Sequence, residues 1–106
     1  MRKYNVYLSP VAEVKLNLLL EQIAKKWGNE TKTNFLASFT KKVNLIADYP
    51  KSCPFNKSFG GIYKCVVSKQ TSFFYRIIFN EIEILTITDN RQDPKKISQE
   101  LKKLSK

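Results

Sequence analysis

The sequence predicts an α+β domain in the order β-α-α-β-β-β(-α), with a helical hairpin packed on a mainly antiparallel four-stranded sheet. Three observations carry this expectation. Apolar residues recur three and four apart over two long segments separated by Gly28. A stretch from Tyr49 to Gly61 then carries Pro50, Pro54, Gly60 and Gly61 without any period. Three runs rich in aromatic and β-branched residues follow it.

Residues 3 to 8, Lys-Tyr-Asn-Val-Tyr-Leu, alternate weakly and open the chain as a strand. Ser9-Pro10 stops that strand and starts a helix, because the serine oxygen caps an orphan amide and proline has no amide to orphan. Val11, Val14, Leu16, Leu18, Leu20, Ile23, Ala24 and Trp27 form a broad apolar stripe ending at Gly28, which supplies the left-handed residue that closes many helices. A second helix opens within Asn29-Glu30-Thr31 and runs through Phe35, Leu36, Phe39, Val43 and Ile46 until Pro50 forbids continuation. Each stripe is too wide to be satisfied by the other helix alone, so a sheet is expected beneath the hairpin.

Tyr49 to Gly61 is expected as a surface loop. Strands are placed at about Ile62 to Ser68, Ser72 to Phe79 and Glu81 to Asp89, joined by turns at Lys69-Gln70-Thr71 and near Asn80. The run Phe73-Phe74-Tyr75-Arg76-Ile77-Ile78-Phe79 is apolar on both faces except at Arg76, which places it centrally in the sheet. Asp93-Pro94 repeats the cap-plus-proline signal and begins a last helix. Ile97, Leu101 and Leu104 line one narrow edge of that helix, and Lys95, Lys96, Lys102, Lys103 and Lys106 make the rest cationic.

At 106 residues the chain suits one domain spanning 1 to 106. Nineteen Lys and Arg against nine Asp and Glu leave a net charge of +10, which points to an anionic partner; nucleic acid, the ribosome, an acidic protein and an anionic membrane surface all fit the charge, and basicity for solubility is the plain alternative. Cys53 and Cys65 lie in no CxxC or His-containing pattern, so no metal site, redox motif or disulfide framework is expected. The absence of a signal-peptide pattern and of any long apolar run leads to a cytoplasmic expectation, with no membrane partner. With no histidine, no phosphate-cradling glycine loop and no metal-ligand spacing, conventional hydrolase chemistry is disfavoured and no cofactor is expected.

Among candidate functional residues, Arg76 stands out, since a guanidinium amid apolar neighbours is costly unless it meets solvent, a carboxylate or a bound anion. By alternation it shares a face with Phe74 and Ile78, where aromatic rings can stack on bases. The competing reading is an ion pair with Glu83 or Asp89 on the adjacent strand. Lys64, between Tyr63 and Cys65, is brought towards Arg76 by cross-strand pairing. Two converging cations either grip phosphate or make a general base of the lysine; a solvated edge lysine is the plain alternative. Arg91, just past the last strand, completes a prospective cluster or is an exposed loop arginine beside Asp89 and Asp93. Glu81, Glu83, Asp89 and Asp93 are assigned to strand edges and caps, with no acid/base role.

Strand, helical hairpin, three-stranded meander, an arginine in the middle strand and another after the last strand together resemble the RelE/ParE toxin superfamily. The local matches are Val6-Tyr7-Leu8-Ser9-Pro10-Val11-Ala12, Ile46-Ala47-Asp48-Tyr49-Pro50, Tyr75-Arg76-Ile77-Ile78-Phe79, and Ile84-Leu85-Thr86-Ile87-Thr88-Asp89-Asn90-Arg91-Gln92-Asp93-Pro94. The resemblance implies a toxin held inactive by an acidic cognate antitoxin. On a RelE-like branch it implies binding at the ribosome and cleavage of mRNA, with Lys64 as base or phosphate grip, Arg76 stabilising the transition state and Arg91 at a phosphate or the leaving group. Lys64, Lys69, Arg76, Arg91, Lys95 and Lys96 would then contact nucleic acid. On a ParE-like branch it implies non-enzymatic inhibition of DNA gyrase. The chain differs from the RelE pattern in having no tyrosine after the last strand, the last being Tyr75, and only one lysine in Tyr63-Lys64-Cys65-Val66-Val67; it also lacks the His and Glu catalytic set of other nuclease branches. A third expectation from the same charge is an RNA-binding module that is not toxic.

Overall fold

Ser9 shows how short sequence signals lay out this molecule. In the computed structural model, which describes residues 3–55, 60–90 and 92–104, Ser9 leaves the first strand, β1 (Asn5–Leu8), in extended geometry. Its Oγ accepts from the Ala12 amide at 3.1 Å, which starts α1 (Pro10–Trp27) with proline in the first turn. The same hydroxyl donates to the Leu85 carbonyl at 2.7 Å, so the cap also fixes the helix to the sheet.

Gly28, at φ 96°, ends α1 by donating to the Ala24 carbonyl at 3.0 Å and turns the chain directly into α2 (Asn29–Asp48). That left-handed backbone is open to glycine and strained for other residues. The α1 stripe is narrower than the sequence suggests. Ala12, Leu16, Leu19 and Leu20 face the core, whereas Val14 and Leu18 are 59% and 53% exposed. At 3.6 residues per turn they sit about 200° and 240° round the helix from Ala12, on the side away from the sheet. Trp27 also stays largely exposed, one residue before the corner. In α2, Phe39, Ile46 and Ala47 are buried and Leu36 is exposed.

The meander is β2 (Ile62–Val66), β3 (Thr71–Ile78) and β4 (Glu81–Asp89). The sheet order is β1-β4-β3-β2; β3 pairs antiparallel with β2 and β4, and β1 joins β4 in parallel. The strand rich in Phe and Tyr is therefore internal, as expected. β2 stops at Val66, short of Ser68, because the Val67 and Ser68 amides both turn to the Thr71 carbonyl. β3 stops at Ile78 because Phe79 enters the turn at φ 56°. A bulge interrupts the β3–β4 ladder: Phe74 faces Thr86 and Tyr75 faces Ile84, which leaves Leu85 as the extra residue.

The sheet buries both faces, one under each helical layer. Tyr63, Cys65, Phe73, Tyr75, Ile82, Ile84 and Ile87 pack under α1 and α2, with Phe39 edge-on to Phe73 at 5.5 Å between ring centres. On the opposite face Ile62, Phe74 and Leu85 are covered by Leu101 of α3 (Pro94–Leu104), flanked by Ile97 and Leu104. Asp93 caps α3, its Oδ1 accepting from the Lys95 amide at 3.0 Å. The stretch predicted as a loop also contributes a rung beside β2, where Phe55 bridges Tyr63. No helix among the described residues is long and apolar enough to cross a membrane.

Candidate functional site

α3 covers only part of its sheet face, and the register lays out the side chains beside it. Ile62 of β2, Arg76 of β3, Glu83 of β4 and Tyr7 of β1 form one cross-strand row. Lys64, Phe74 and Thr86 form the next row, and Ile78, Glu81 and Asn5 the row on the other side. Side chains in register share a face, so Tyr7, Lys64, Arg76, Glu81 and Glu83 are gathered on one side of the sheet by pairing alone.

Arg76 is held by Glu83. Its Nε donates to Oε1 at 2.9 Å and its Nη2 reaches the same oxygen at 2.8 Å. The two side chains retain 30% and 16% of their exposure, so the pair lies half within the sheet. Register decides between the two partners that the sequence allows: Glu83 stands opposite Arg76, while Asp89 stands opposite Thr71. Glu83 does not lie on a sheet edge, since β1 pairs with β4 on its far side and makes β4 an internal strand. Beyond the pair, Tyr7 has its phenol pushed up from the ordinary tyrosine value, by desolvation first and then by the charges of Glu83 and Glu81, with Arg76 opposing. It therefore remains a proton-bearing donor at neutral pH. Asn5 donates from Nδ2 to Glu81 Oε2 at 3.4 Å at the rim.

Lys64 is half-buried, and its amide donates to the Pro54 carbonyl at 2.9 Å. It stands directly opposite Phe74, two residues from Arg76 along β3, which makes it a diagonal neighbour of Arg76 at about 7–8 Å between backbones. Lys64 and Arg76 are thus brought together on one face. Lys69 is exposed at the other end of the sheet, beyond Thr71, which is five residues or roughly 17 Å of strand from Arg76. Lys95 and Lys96 are exposed in the first turn of α3. Arg91 lies outside the described residues.

Asn90 organises that far end, a role that its sequence context does not reveal. Its Nδ2 donates to the Lys69 carbonyl at 3.0 Å and the Ser68 carbonyl at 3.3 Å, its Oδ1 accepts from Ser72 Oγ at 2.5 Å, and its amide reaches Gln70 at 2.7 Å. The connection between β2 and β3 is thereby tied to the end of β4. Glu100 does similar work for α3, accepting from Lys15 Nζ of α1 and Thr86 Oγ1 of β4. Among the described residues no cluster of three or more His, Cys, Asp or Glu side chains could hold a metal ion.

No protein-family model matches the sequence, and no curated protein matches it. Solved structures do match the fold. The chromosomal ParDE toxin–antitoxin system of P. aeruginosa contains a chain with a TM-score of 0.70 and 14% identity, the match covering 84% of this chain and 98% of that one. The RelBE2 toxin–antitoxin complex of Mycobacterium tuberculosis gives 0.58 and 17%, over 83% and 99%. The YoeB dimer of Staphylococcus aureus gives 0.56 and 13%, over 81% and 95%. At such identities the likeness is one of fold, and it extends over nearly the whole of each of those chains.

Proposed function

We propose, with the RelE/ParE-type toxin fold as the premise, that this chain is the toxin half of a type II toxin–antitoxin pair and stops translation by ribosome-dependent cleavage of mRNA. The observation that supports the reaction is the shared sheet face on which a carboxylate, a guanidinium, a lysine and a phenol are neighbours. Cleavage at a ribose 2′-hydroxyl needs a group to take the hydroxyl proton, positive charge for the phosphorane, and a proton for the departing 5′-oxygen. Glu83 takes the first role, Arg76 the second as phosphate displaces part of its contact with Glu83, and Tyr7 supplies a donor. Lys64 grips the phosphate from the adjoining row. Lys69, Arg91, Lys95 and Lys96 extend the cationic contact along the message, and the net charge of +10 favours both the ribosome and an acidic antitoxin. Val14, Leu18 and Trp27, exposed on α1, offer the antitoxin apolar contacts.

Programmed ribosomes incubated with the purified chain should yield cleaved mRNA. Glu83→Gln and Arg76→Ala should each slow cleavage by about 100-fold or more, the usual loss for an acid/base or charge-stabilising group. Intact message at a concentration that arrests growth rejects the reaction.

A second reading is non-enzymatic inhibition of DNA gyrase. It is favoured by the compensation of Arg76 by Glu83, which lowers the charge available to a phosphorane, and by the exposed apolar side chains on the hairpin. A supercoiling assay at growth-arresting concentrations separates the two. Unimpaired growth on induced expression would leave only a non-toxic RNA-binding module.

A further inference from the structure

The two cysteines, featureless in sequence spacing, are juxtaposed by a short antiparallel pairing. Phe55 bridges Tyr63, and the Lys64 amide donates to the Pro54 carbonyl at 2.9 Å. Pro54 has no amide to return, so only one of the usual two bonds of that rung forms. The same register, extended one residue further, sets Cys53 opposite Cys65. Because Pro54 and Lys64 form the hydrogen-bonded rung, Cys53 and Cys65 occupy a non-hydrogen-bonded one, where Cα atoms approach to about 4.5 Å. A disulfide spans Cα separations of about 4.4–6.8 Å, so the backbone needs little movement to accept one.

The side chains agree with the backbone. Both thiols are free; Cys65 is buried, and the partly exposed Cys53 packs on the core cluster that contains it. Burial, followed by interaction with the Cys53 thiol, pushes the Cys65 thiol up to about 12. Cys53 is thus the thiol open to small oxidants, and Cys65 stands behind it.

We propose that Cys53 and Cys65 form an oxidisable dithiol, a modification site at which hydrogen peroxide converts them into a cross-strand disulfide. The Cys53 sulfur attacks one peroxide oxygen, the O–O bond breaks, and the departing oxygen leaves as water with the thiol proton. The sulfenic acid at Cys53 is then attacked by the Cys65 sulfur; the S–O bond breaks, and a second water leaves with the Cys65 proton. Each sulfur gives up one electron, and peroxide takes both. The product staples the segment already anchored at Pro50, whose carbonyl accepts the Tyr75 hydroxyl at 2.7 Å, to the strand that carries Lys64.

The test exposes the native full-length chain to hydrogen peroxide, then measures free thiols and maps peptides without reduction. Both thiols should disappear together, the chain should stay monomeric on a non-reducing gel, and a Cys53–Cys65 peptide should appear that dithiothreitol removes. In Cys65→Ala the sulfenic acid at Cys53 should persist and be trapped by dimedone; in Cys53→Ala the buried Cys65 should remain unmodified. Circular dichroism checks that both variants fold, and the wild-type peptide map decides if either does not. Persistence of both thiols, overoxidation of Cys53 alone, or an intermolecular dimer would each overturn the proposal.

Discussion

Separating the structural role of the Arg76–Glu83 pair from its proposed chemical one calls for a double-mutant cycle with Arg76→Met, which keeps the aliphatic stem, and Glu83→Gln, which keeps the shape. Fully exposed ion pairs contribute about 0–1 kcal/mol, and removing one partner of a fully buried pair costs about 3–5 kcal/mol. With 30% and 16% of their side chains exposed, and both guanidinium bonds falling on one oxygen, these residues lie between those limits. Arg76→Met, which strands a carboxylate inside the sheet, should cost about 2 kcal/mol. For a chain of this size that is a fall in Tm of roughly 10 °C. Glu83→Gln should cost about 1 kcal/mol, since the amide oxygen still accepts. The double variant should be less destabilised than the sum of the two by about 1 kcal/mol, measured by urea unfolding at neutral pH and low salt. A coupling below about 0.5 kcal/mol, the ordinary additivity error, would show that the two groups do not act as a pair in solution. Cleavage of mRNA on programmed ribosomes by the same three proteins then tests the proposed chemistry separately, because all of them should remain folded at the assay temperature.

Ser9→Ala removes both the α1 cap and the donor to Leu85, and should cost about 2 kcal/mol in urea unfolding; a loss under about 0.5 kcal/mol would refute the double role. Phe79 is 95% exposed and held at φ 56°, a conformation that asparagine tolerates better. Phe79→Asn should therefore raise Tm by a few degrees, and a lower Tm would mean that the ring contributes more than its exposure implies. A thiol raised in the fold stabilises it fully below the unfolded value, and that stability is lost as pH climbs through the folded one. Stability should accordingly decline from pH 9.0 towards about 12 as Cys65 resists ionisation, with buried Tyr75, also raised, adding to the fall from pH 10.0 upward. Unfolding free energy independent of pH across that interval would contradict the burial of both groups.

What the sequence reveals of this fold is governed by the range of the interactions involved. Ser9-Pro10, Gly28 and Asp93-Pro94 act within a few residues, and each marks a helix boundary correctly. The alternation that makes Tyr75 and Arg76 face opposite ways is equally local. Pairing is another matter: nothing within Asn5–Leu8 specifies a parallel partner in β4, and nothing in the run from Glu81 to Asp89 marks Leu85 as the bulged residue. Arg76 illustrates the boundary between the two. Its need for an anionic neighbour follows from its apolar surroundings, yet the choice between Glu83 and Asp89 depends on strand register, which only the assembled sheet supplies. Val14 and Leu18 show the converse limit, because apolar character fits a helix stripe without telling which arc meets the sheet.

The parallel partnership of β1 with β4 also governs when the protein can come into being. Asn5 must wait for Glu81, 76 positions later, so ribosomal synthesis delivers the first strand and both helices of the hairpin long before their underside has anything to rest on. Contacts this distant along the chain are slow to close and leave apolar surface uncovered meanwhile. Tyr7 and Glu83 become neighbours only through that late closure, so the face they share with Arg76 exists only once the sheet is nearly complete.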